Sequence, residues 1–177
     1  MHVGRNNKKF EYLINGEKLD SVDSERGIGV IVDKSLKPSL QCAEAARRAS
    51  GVLTQITRAL LYRDRNTFLK LYIQFVRCYL EFSIPAWSPW SQGDIVILER
   101  VQKRAVNLIT GLKGKSYLEK LQEIGLMSLE ARRSRFDLVQ TSKIIKGFDR
   151  VNRDIWFELV EIDNPRPTYL PSIQHNP

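Results

Sequence analysis

The hydrophobic pattern of this chain changes its period at Pro38, and that change restricts the fold more than any other feature of the sequence. Before Pro38 the apolar residues alternate with others, as at Phe10, Tyr12 and Ile14, which is typical of a half-buried strand. After Pro38 they recur every three to four residues, which is typical of amphipathic helices. We therefore expect an α+β fold that is mainly α, in which short antiparallel strands precede a helical bundle.

Two stretches of the segment 1–37 predict those strands. Asn15-Gly16 supplies the two residues with positive φ that a type I′ hairpin turn requires. Ile28–Val32 predicts a short apolar strand, in which Gly29 marks either a bulge or the close approach of another backbone. Three or four short strands without a covering helix cannot close a core, so we expect this segment to be part of something larger.

A long helix is predicted after Pro38, and a second one follows it. Arg47 and Arg58 lie on a different face of the first helix from its apolar residues, which are Leu40, Ala43, Ala46, Val52 or Leu53, Ile56 and Leu60. Asp64 is placed to cap the second helix. We interpret the apolar stripe of that helix as core; it consists of Phe68, Tyr72, Phe75, Val76 and Tyr79. Pro85 is expected to end it, because the residue before a proline avoids the helical region.

Two tryptophans mark the next boundary. Trp87 and Trp90 flank a Ser-Pro pair and predict a rigid corner, where large rings bury area at low entropic cost. Ser91 or Asp94 begins the helix that follows. Its inward positions are Ile95, Leu98, Val101, Ala105 and Leu108, and its opposite side carries Arg100, Lys103, Arg104 and Asn107.

The remaining third of the chain predicts a basic loop, two more helices and a tail. After Gly111, the loop exposes Lys113 and Lys115. Ser116 and Glu119 form a capping box for a short helix, and Ser128 caps a further helix, which bears Arg132, Arg133 and Arg135. The proline-rich residues 161–177 predict a disordered tail.

Positive charge is concentrated in the middle of the chain. The net charge is +8, and residues 38–150 carry +9, which the acidic end partly offsets. A basic block on folded helices indicates a polyanionic partner, most often nucleic acid. The same residues also fit a solvated helical surface with a high isoelectric point.

The sequence offers little for catalysis. The two histidines, His2 and His175, lie near opposite ends, and no phosphate-binding loop or zinc motif occurs. Asp20 and Asp23 are interpreted as solvated turn residues, because two-metal phosphoryl transfer needs carboxylates that converge on a rigid frame. We therefore expect neither catalytic nor metal-binding residues in this chain.

The cellular location follows from what the sequence contains. No uncharged apolar run approaches the roughly 20 residues of a membrane span, and the first residues do not form a signal peptide. Cys42 and Cys78 are interpreted as thiols of a reducing compartment. We expect an intracellular protein, in the nucleus or the cytoplasm, that is neither secreted nor bound to a membrane.

Several separated blocks of the sequence resemble one known family. A long block from Val3 to Leu60 is followed by "FVRCYLEFSIPAWSPW", "LERVQKRAVNLITGLKGKSYLEKLQEIGLMSLEARRSR" and "IIKGFD". In this order they resemble the reverse transcriptases of non-LTR (LINE-type, jockey-like) retrotransposons, in the region after the catalytic Tyr-x-Asp-Asp strands. The resemblance reaches about as far as Phe157. It implies palm strands over 1–37, thumb helices over 38–115 and connector helices over 116–160.

The resemblance also implies roles for individual residues. Ile28-Gly29-Val30 is similar to the primer-grip segment, which holds the 3′ end of the primer. A thumb would lie against an RNA–DNA or DNA duplex, with phosphate contacts from Arg47, Arg48, Arg58, Arg100, Lys103, Arg104, Lys113 and Lys115. The palm and fingers of the parent enzyme would be a second partner. Mg²⁺, the cofactor of that enzyme, is not expected to bind this chain.

The sequence departs from the family at several positions. Gly27 stands in place of an acidic residue, Cys78 in place of a proline and Phe136 in place of a glycine. With the catalytic aspartates missing, we expect a polymerase fragment that is inactive alone and binds template–primer nucleic acid through its basic thumb surface. The alternatives are a retroelement remnant without function and a helical protein-interaction module.

Overall fold

The computed structural model describes residues 1–4, 6–62, 64–155 and 157. They divide into two compact units, Met1–Asp137 and Leu138–Pro177, of which the second is described only as far as residue 157. Helices form most of the regular structure, and two separate pairs of antiparallel strands precede them. The predicted class, α+β and mainly α, is therefore confirmed. The tail predicted over 161–177 lies outside the described residues.

The elements follow one another in the predicted order of strands and then helices. The strands are β1 (Leu13–Ile14), β2 (Glu17–Lys18), β3 (Ser24–Gly27) and β4 (Val30–Asp33). The helices are α1 (Ser39–Ala59), α2 (Arg65–Leu71), α3 (Arg77–Glu81), α4 (Ile84–Trp87), α5 (Gln92–Asn107), α6 (Tyr117–Ile124) and α7 (Leu129–Ile145). A π-helical turn, Tyr72–Val76, joins α2 to α3, and Arg153–Ile155 forms a 3₁₀ turn.

Both strand pairs are hairpins with two-residue turns. Asn15 (φ 51°) and Gly16 (φ 82°) confirm the predicted turn between β1 and β2. The turn between β3 and β4 has the same signs, with φ 49° at Ile28 and 83° at Gly29. The strand predicted from Ile28 is therefore wrong at its start, and β4 begins at Val30. A β-branched residue rarely adopts positive φ, so the isoleucine at position 28 gave no indication of a turn.

The buried face of α1 differs from the predicted one. Leu40 and Ala43 are exposed, and the buried residues are Gln41, Cys42, Ala45, Ala46, Ala49 and Leu53. The side-chain oxygen of Gln41 accepts a hydrogen bond from the backbone N–H of Ile31 at 2.9 Å. This contact joins α1 to β4, with Gln41 on the inward side of the helix and Leu40 facing solvent.

The aromatic helix is capped as predicted, but its core face differs. Asp64 accepts a hydrogen bond from the Thr67 N–H at 2.9 Å, which confirms the cap. Phe68, Tyr72 and Val76 are buried, whereas Phe75 and Tyr79 are exposed. The π-helical turn widens the helix by one residue at this point. Residues four positions apart therefore continue to face the core after Val76, and Leu80 is buried in place of Tyr79.

The tryptophan corner is only half buried. The Trp87 ring is 4% exposed and Trp90 is 70% exposed, so the prediction that both rings bury area is wrong for Trp90. The Trp87 Nε1–H donates to the Phe82 carbonyl at 2.7 Å. The helix expected to reach Pro85 ends at Glu81. Pro85 lies in the first turn of α4, where a proline is tolerated because no intrahelical donor is lost.

The helix α5 has the predicted orientation in the core. Leu98, Val101 and Ala105 are buried, while the basic residues of its opposite side are exposed. α1 packs against α5, α3 and β4, and the main core lies between these elements. None of the helices in the described part of the chain is both long and apolar enough to cross a bilayer.

Candidate nucleic-acid interface

α1 and α5 lie side by side and run in the same direction. Near their N-terminal ends, the Ser39 hydroxyl donates to the Asp94 carboxylate at 2.8 Å. Near their C-terminal ends, Nη2 of Arg104 donates to the Thr54 hydroxyl at 3.5 Å. These two contacts fix the register in which the exposed residues of the two helices face each other.

A groove of about 300 Å³ runs between these helices. We call it the arginine groove; it is lined by Ala43, Ala46, Arg47, Ser50, Ile97, Arg100, Val101 and Arg104. Spacings of three and four place Arg47 and Ser50 on one face of α1, and Arg100 and Arg104 on one face of α5. The two alanines contribute short side chains to this lining. No acidic residue lines the groove.

Arg100 and Arg104 carry uncompensated charge. Within the described residues, no carboxylate oxygen lies within 4.0 Å of either guanidinium group, and the same is true of Arg58. Arg58 is exposed and continues the face of α1 that bears Arg47. Cations without partners are the groups that gain most from an added anion.

Arg47 and Arg48, in contrast, share one carboxylate. Glu44 Oε2 accepts from Arg47 Nε at 2.8 Å, and Glu44 Oε1 accepts from Arg48 Nε at 2.7 Å. Arg26 of β3 also reaches Glu44 Oε1, at 3.3 Å. The hydrogen bonds from Arg47 and then from Arg48 lower the pKa of Glu44 to about 2. Glu44 is therefore ionised at neutral pH and ties the second hairpin to α1.

The predicted lysine contacts lie away from the arginine groove. The Lys103 ammonium stands 5.1 Å from the centre of the Tyr117 ring, which is within cation–π range. Lys115 forms an ion pair with Glu123, and Lys113 is exposed on the loop between α5 and α6. Of the eight predicted phosphate contacts, the structure brings Arg47, Arg100 and Arg104 into one groove.

The primer-grip-like segment forms the tip of the second hairpin. Ile28 is 96% exposed, whereas Val30 is buried in the core. Gly29 faces the ring of Phe82, and a Cβ atom at this position would lie 3.1 Å from Cε1 of that ring. A side chain at this position would be strained by the positive φ and would displace the Phe82 ring slightly.

Sequence reasoning missed a buried polar network behind the basic face of α5. The Tyr72 hydroxyl donates to Gln102 Oε1 at 2.7 Å, and Gln102 Nε2 donates to the Tyr117 hydroxyl at 2.9 Å. The Tyr117 hydroxyl in turn donates to the Glu99 carboxylate. Burial raises the pKa of both tyrosines, so their hydroxyls remain proton donors. The only signal in the sequence was the position of Glu99 and Gln102 next to Leu98 and Val101.

The arginines of α7 do not extend the basic surface in the same way. Arg132 forms a bidentate pair of hydrogen bonds with the Glu81 carboxylate. Arg133 is buried, and this burial lowers its pKa. Neither guanidinium group is thus as open to an external anion as those of Arg100 and Arg104.

Comparisons with protein-family models, curated proteins and solved structures found no match to this chain. Among the described residues, no group of three or more His, Cys, Asp or Glu side chains is arranged to hold a metal ion. Asp20 is exposed, and Asp23 forms an ion pair with Lys34 at 2.8 Å.

Proposed function

We propose that this protein binds the phosphate backbone of a nucleic acid through the arginine groove. The observation that supports the proposal is that Arg100 and Arg104, which form no ion pair within the described residues, share with Arg47 a groove whose lining contains no acidic residue. A guanidinium group presents planar, paired donors that match phosphate oxygens. Arg100 and Arg104 lie one helical turn apart, so both can face the same stretch of a sugar–phosphate backbone.

The arrangement favours a polymer over a single small anion. Arg58 follows Arg47 by eleven residues along α1, and a helix rises about 1.5 Å per residue. The two Cα atoms are therefore roughly 16 Å apart along the helix axis, too far for one phosphate group to meet both residues. A chain of phosphates could contact both positions at once. Such contacts orient a nucleic acid without reading its bases.

The wider identity that we propose is a thumb fragment of a non-LTR retrotransposon reverse transcriptase, which binds an RNA–DNA or DNA duplex. The proposal rests on the sequence resemblance together with the basic helical surface. It concerns binding and not polymerisation. The palm and fingers of a parent enzyme would be the protein partner of such a fragment.

The test compares two double variants that remove the same charge. Arg100→Gln with Arg104→Gln removes two groove cations, and Lys103→Gln with Lys113→Gln removes two cations outside the groove. Binding of a labelled RNA–DNA hybrid is measured over a range of salt concentrations. The groove variant should lose affinity, and its slope of log K against log[salt] should fall by up to about two units. The control variant should keep most of the wild-type slope.

Three results would contradict the proposal. Equal slopes in both variants would show that the basic residues act only through the overall charge. If the wild-type protein shows no salt-dependent binding of the hybrid, the proposed function is wrong. Tighter binding of an acidic peptide than of a hybrid with the same charge would instead favour the protein-interaction module. Exposed substitutions usually change stability by about 0.5 kcal/mol or less, so both variants should remain folded.

A further inference from the structure

A second cavity lies on the other side of α1 from the arginine groove. We call it the aromatic cavity; it has a volume of about 270 Å³ and lies between the turn of the second hairpin, α1 and the end of α3. Its size is just below that of sites for drug-sized ligands, which begin at roughly 300 Å³. It therefore suits a ligand group with a single ring system.

Two aromatic rings form one wall of this cavity. Tyr79 is 39% exposed and Phe82 is 51% exposed, although both are large apolar side chains. The backbone of Gly29 closes the cavity against the Phe82 ring, and Ala45 contributes a small, buried floor. Exposed rings beside a small floor are suited to stacking with a flat partner.

Gln41 supplies an oriented polar group in the same cavity. The residue is 5% exposed, and its Oε1 accepts from the Ile31 N–H at 2.9 Å. Because an N–H can donate only to the oxygen end of the amide, Nε2 must point away from Ile31. Within the described residues, no hydrogen bond from this Nε2 to a protein acceptor occurs. The cavity thus contains a fixed, unused N–H donor beside two exposed rings.

The rim of the cavity is cationic. Arg26 and Arg48 line it, and both are held in place by Glu44. Two cations surround one carboxylate here, so the rim keeps a positive charge. A flat ring with hydrogen-bond acceptors, attached to a phosphate, matches these features: it offers a face for stacking, an acceptor for Nε2 and an anion for the rim.

We propose that the aromatic cavity binds the base of one unpaired nucleotide, next to a duplex held by the arginine groove. The two sites flank the same helix, because Ala43 and Arg47 face the groove while Glu44 and Arg48 face the cavity. A strand that crosses the exposed face of α1 passes from one site to the other. This inference rests on the proposed function and defines its substrate as a duplex with a single-stranded extension.

The experiment compares blunt hybrids with hybrids that carry one unpaired 2-aminopurine nucleotide, at the 3′ end in one and at the 5′ end in another. Stacking of this base on an aromatic ring quenches its fluorescence. Stacking contributes about 1–3 kcal/mol per base, so at least one extended hybrid should bind about 5- to 150-fold more tightly than the blunt one. Tyr79→Ala should abolish this difference and the quenching while leaving blunt binding unchanged.

A thiol provides a second readout at the cavity itself. Cys78 is exposed and lines the cavity, whereas Cys42 is fully buried and burial raises its pKa to about 12. Since the thiolate is the reactive form, iodoacetamide should alkylate only Cys78. The preferred extended hybrid should slow this alkylation in proportion to the fraction of protein bound, and the blunt hybrid should not.

Two further variants control for structure. Gln41→Glu keeps the acceptor for Ile31 but removes the Nε2 donor, so it should weaken the extended hybrid selectively. Tyr62→Ala truncates the same kind of ring at an exposed position that does not line the cavity, and it should change neither quenching nor affinity.

The outcomes separate this inference from the proposed function. If the wild-type protein binds extended and blunt hybrids equally, without quenching or protection of Cys78, the inference about the cavity is wrong and the groove function stands. If it binds neither hybrid, both proposals are wrong. If Tyr62→Ala abolishes quenching while Tyr79→Ala does not, the base stacks outside the cavity, which also overturns the inference.

Discussion

The buried network around Gln102 allows a sharp test of how the core is held together. Gln102 is fully buried, and its Oε1 accepts from the Tyr72 hydroxyl at 2.7 Å. Its Nε2 donates to the Tyr117 hydroxyl at 2.9 Å and to the Met127 carbonyl at 3.0 Å. A buried polar group that loses its partner costs about 1–3 kcal/mol. Tyr72→Phe leaves one such group, Oε1 of Gln102, and should lower the free energy of unfolding by about 1–3 kcal/mol.

Gln102→Leu leaves one buried group without a partner, the Tyr72 hydroxyl, because Met127 is exposed and its carbonyl can bond to water. We therefore expect it to lower the free energy of unfolding by about 1–3 kcal/mol, the cost of one such group. In that background, Tyr72→Phe removes a hydroxyl that no longer has an acceptor, and it should be nearly neutral or stabilising. The coupling between the two substitutions should then be about 1–3 kcal/mol, in the range found for residues in one network.

The assay is urea unfolding of the wild-type protein, the two single variants and the double variant, with the m-value compared to confirm that the unfolded states are alike. Tyr62→Phe serves as the control, because the Tyr62 side chain is exposed and should lose almost nothing. If Tyr72→Phe lowers the free energy of unfolding by the same amount in the wild-type protein and in Gln102→Leu, the two side chains are not coupled. The network then does not stabilise the fold.

Two further predictions concern single side chains. Trp87→Ala should lower the free energy of unfolding by about 3–5 kcal/mol, because the ring is buried in the core; an unchanged melting temperature would mean that the ring does not support the fold. The pKa of Glu44 is lowered from 4.5 to about 2, so its contribution to stability is complete above about pH 4.5 and is lost as the pH falls towards 2. Acidification from about pH 5 to pH 2.5 should therefore lower the urea midpoint more in the wild-type protein than in Glu44→Gln, and an identical drop in both would show that the arginine contacts to Glu44 do not stabilise the fold.

Local sequence signals predicted the ends of several elements correctly. Asn15-Gly16 forms its turn, Asp64 caps α2, and Ser116 with Glu119 forms the capping box of α6. Each of these features depends on residues at most four positions apart, so the chain carries the whole signal in one short stretch. The burial of Leu98, Val101 and Ala105 in α5 followed from periodicity for the same reason.

Tertiary contacts decided the rest. The run of alanines in α1 offers more than one apolar face, and the bond from Ile31 to Gln41 selects the one that is buried. The π-helical turn shifts the core face from Tyr79 to Leu80 and leaves the Tyr79 ring free to line the aromatic cavity.

The candidate site also has features that the sequence predicts and features that depend on tertiary packing. The charges of Arg47, Arg100 and Arg104 predicted that these side chains stay outside the core, because a charge is costly to bury. The sequence by itself did not determine that α1 and α5 run in parallel and bring the three side chains to one groove, nor that Glu44 engages Arg26, Arg47 and Arg48. Those pairings join residues of separate elements, and their geometry exists only once the helices have packed.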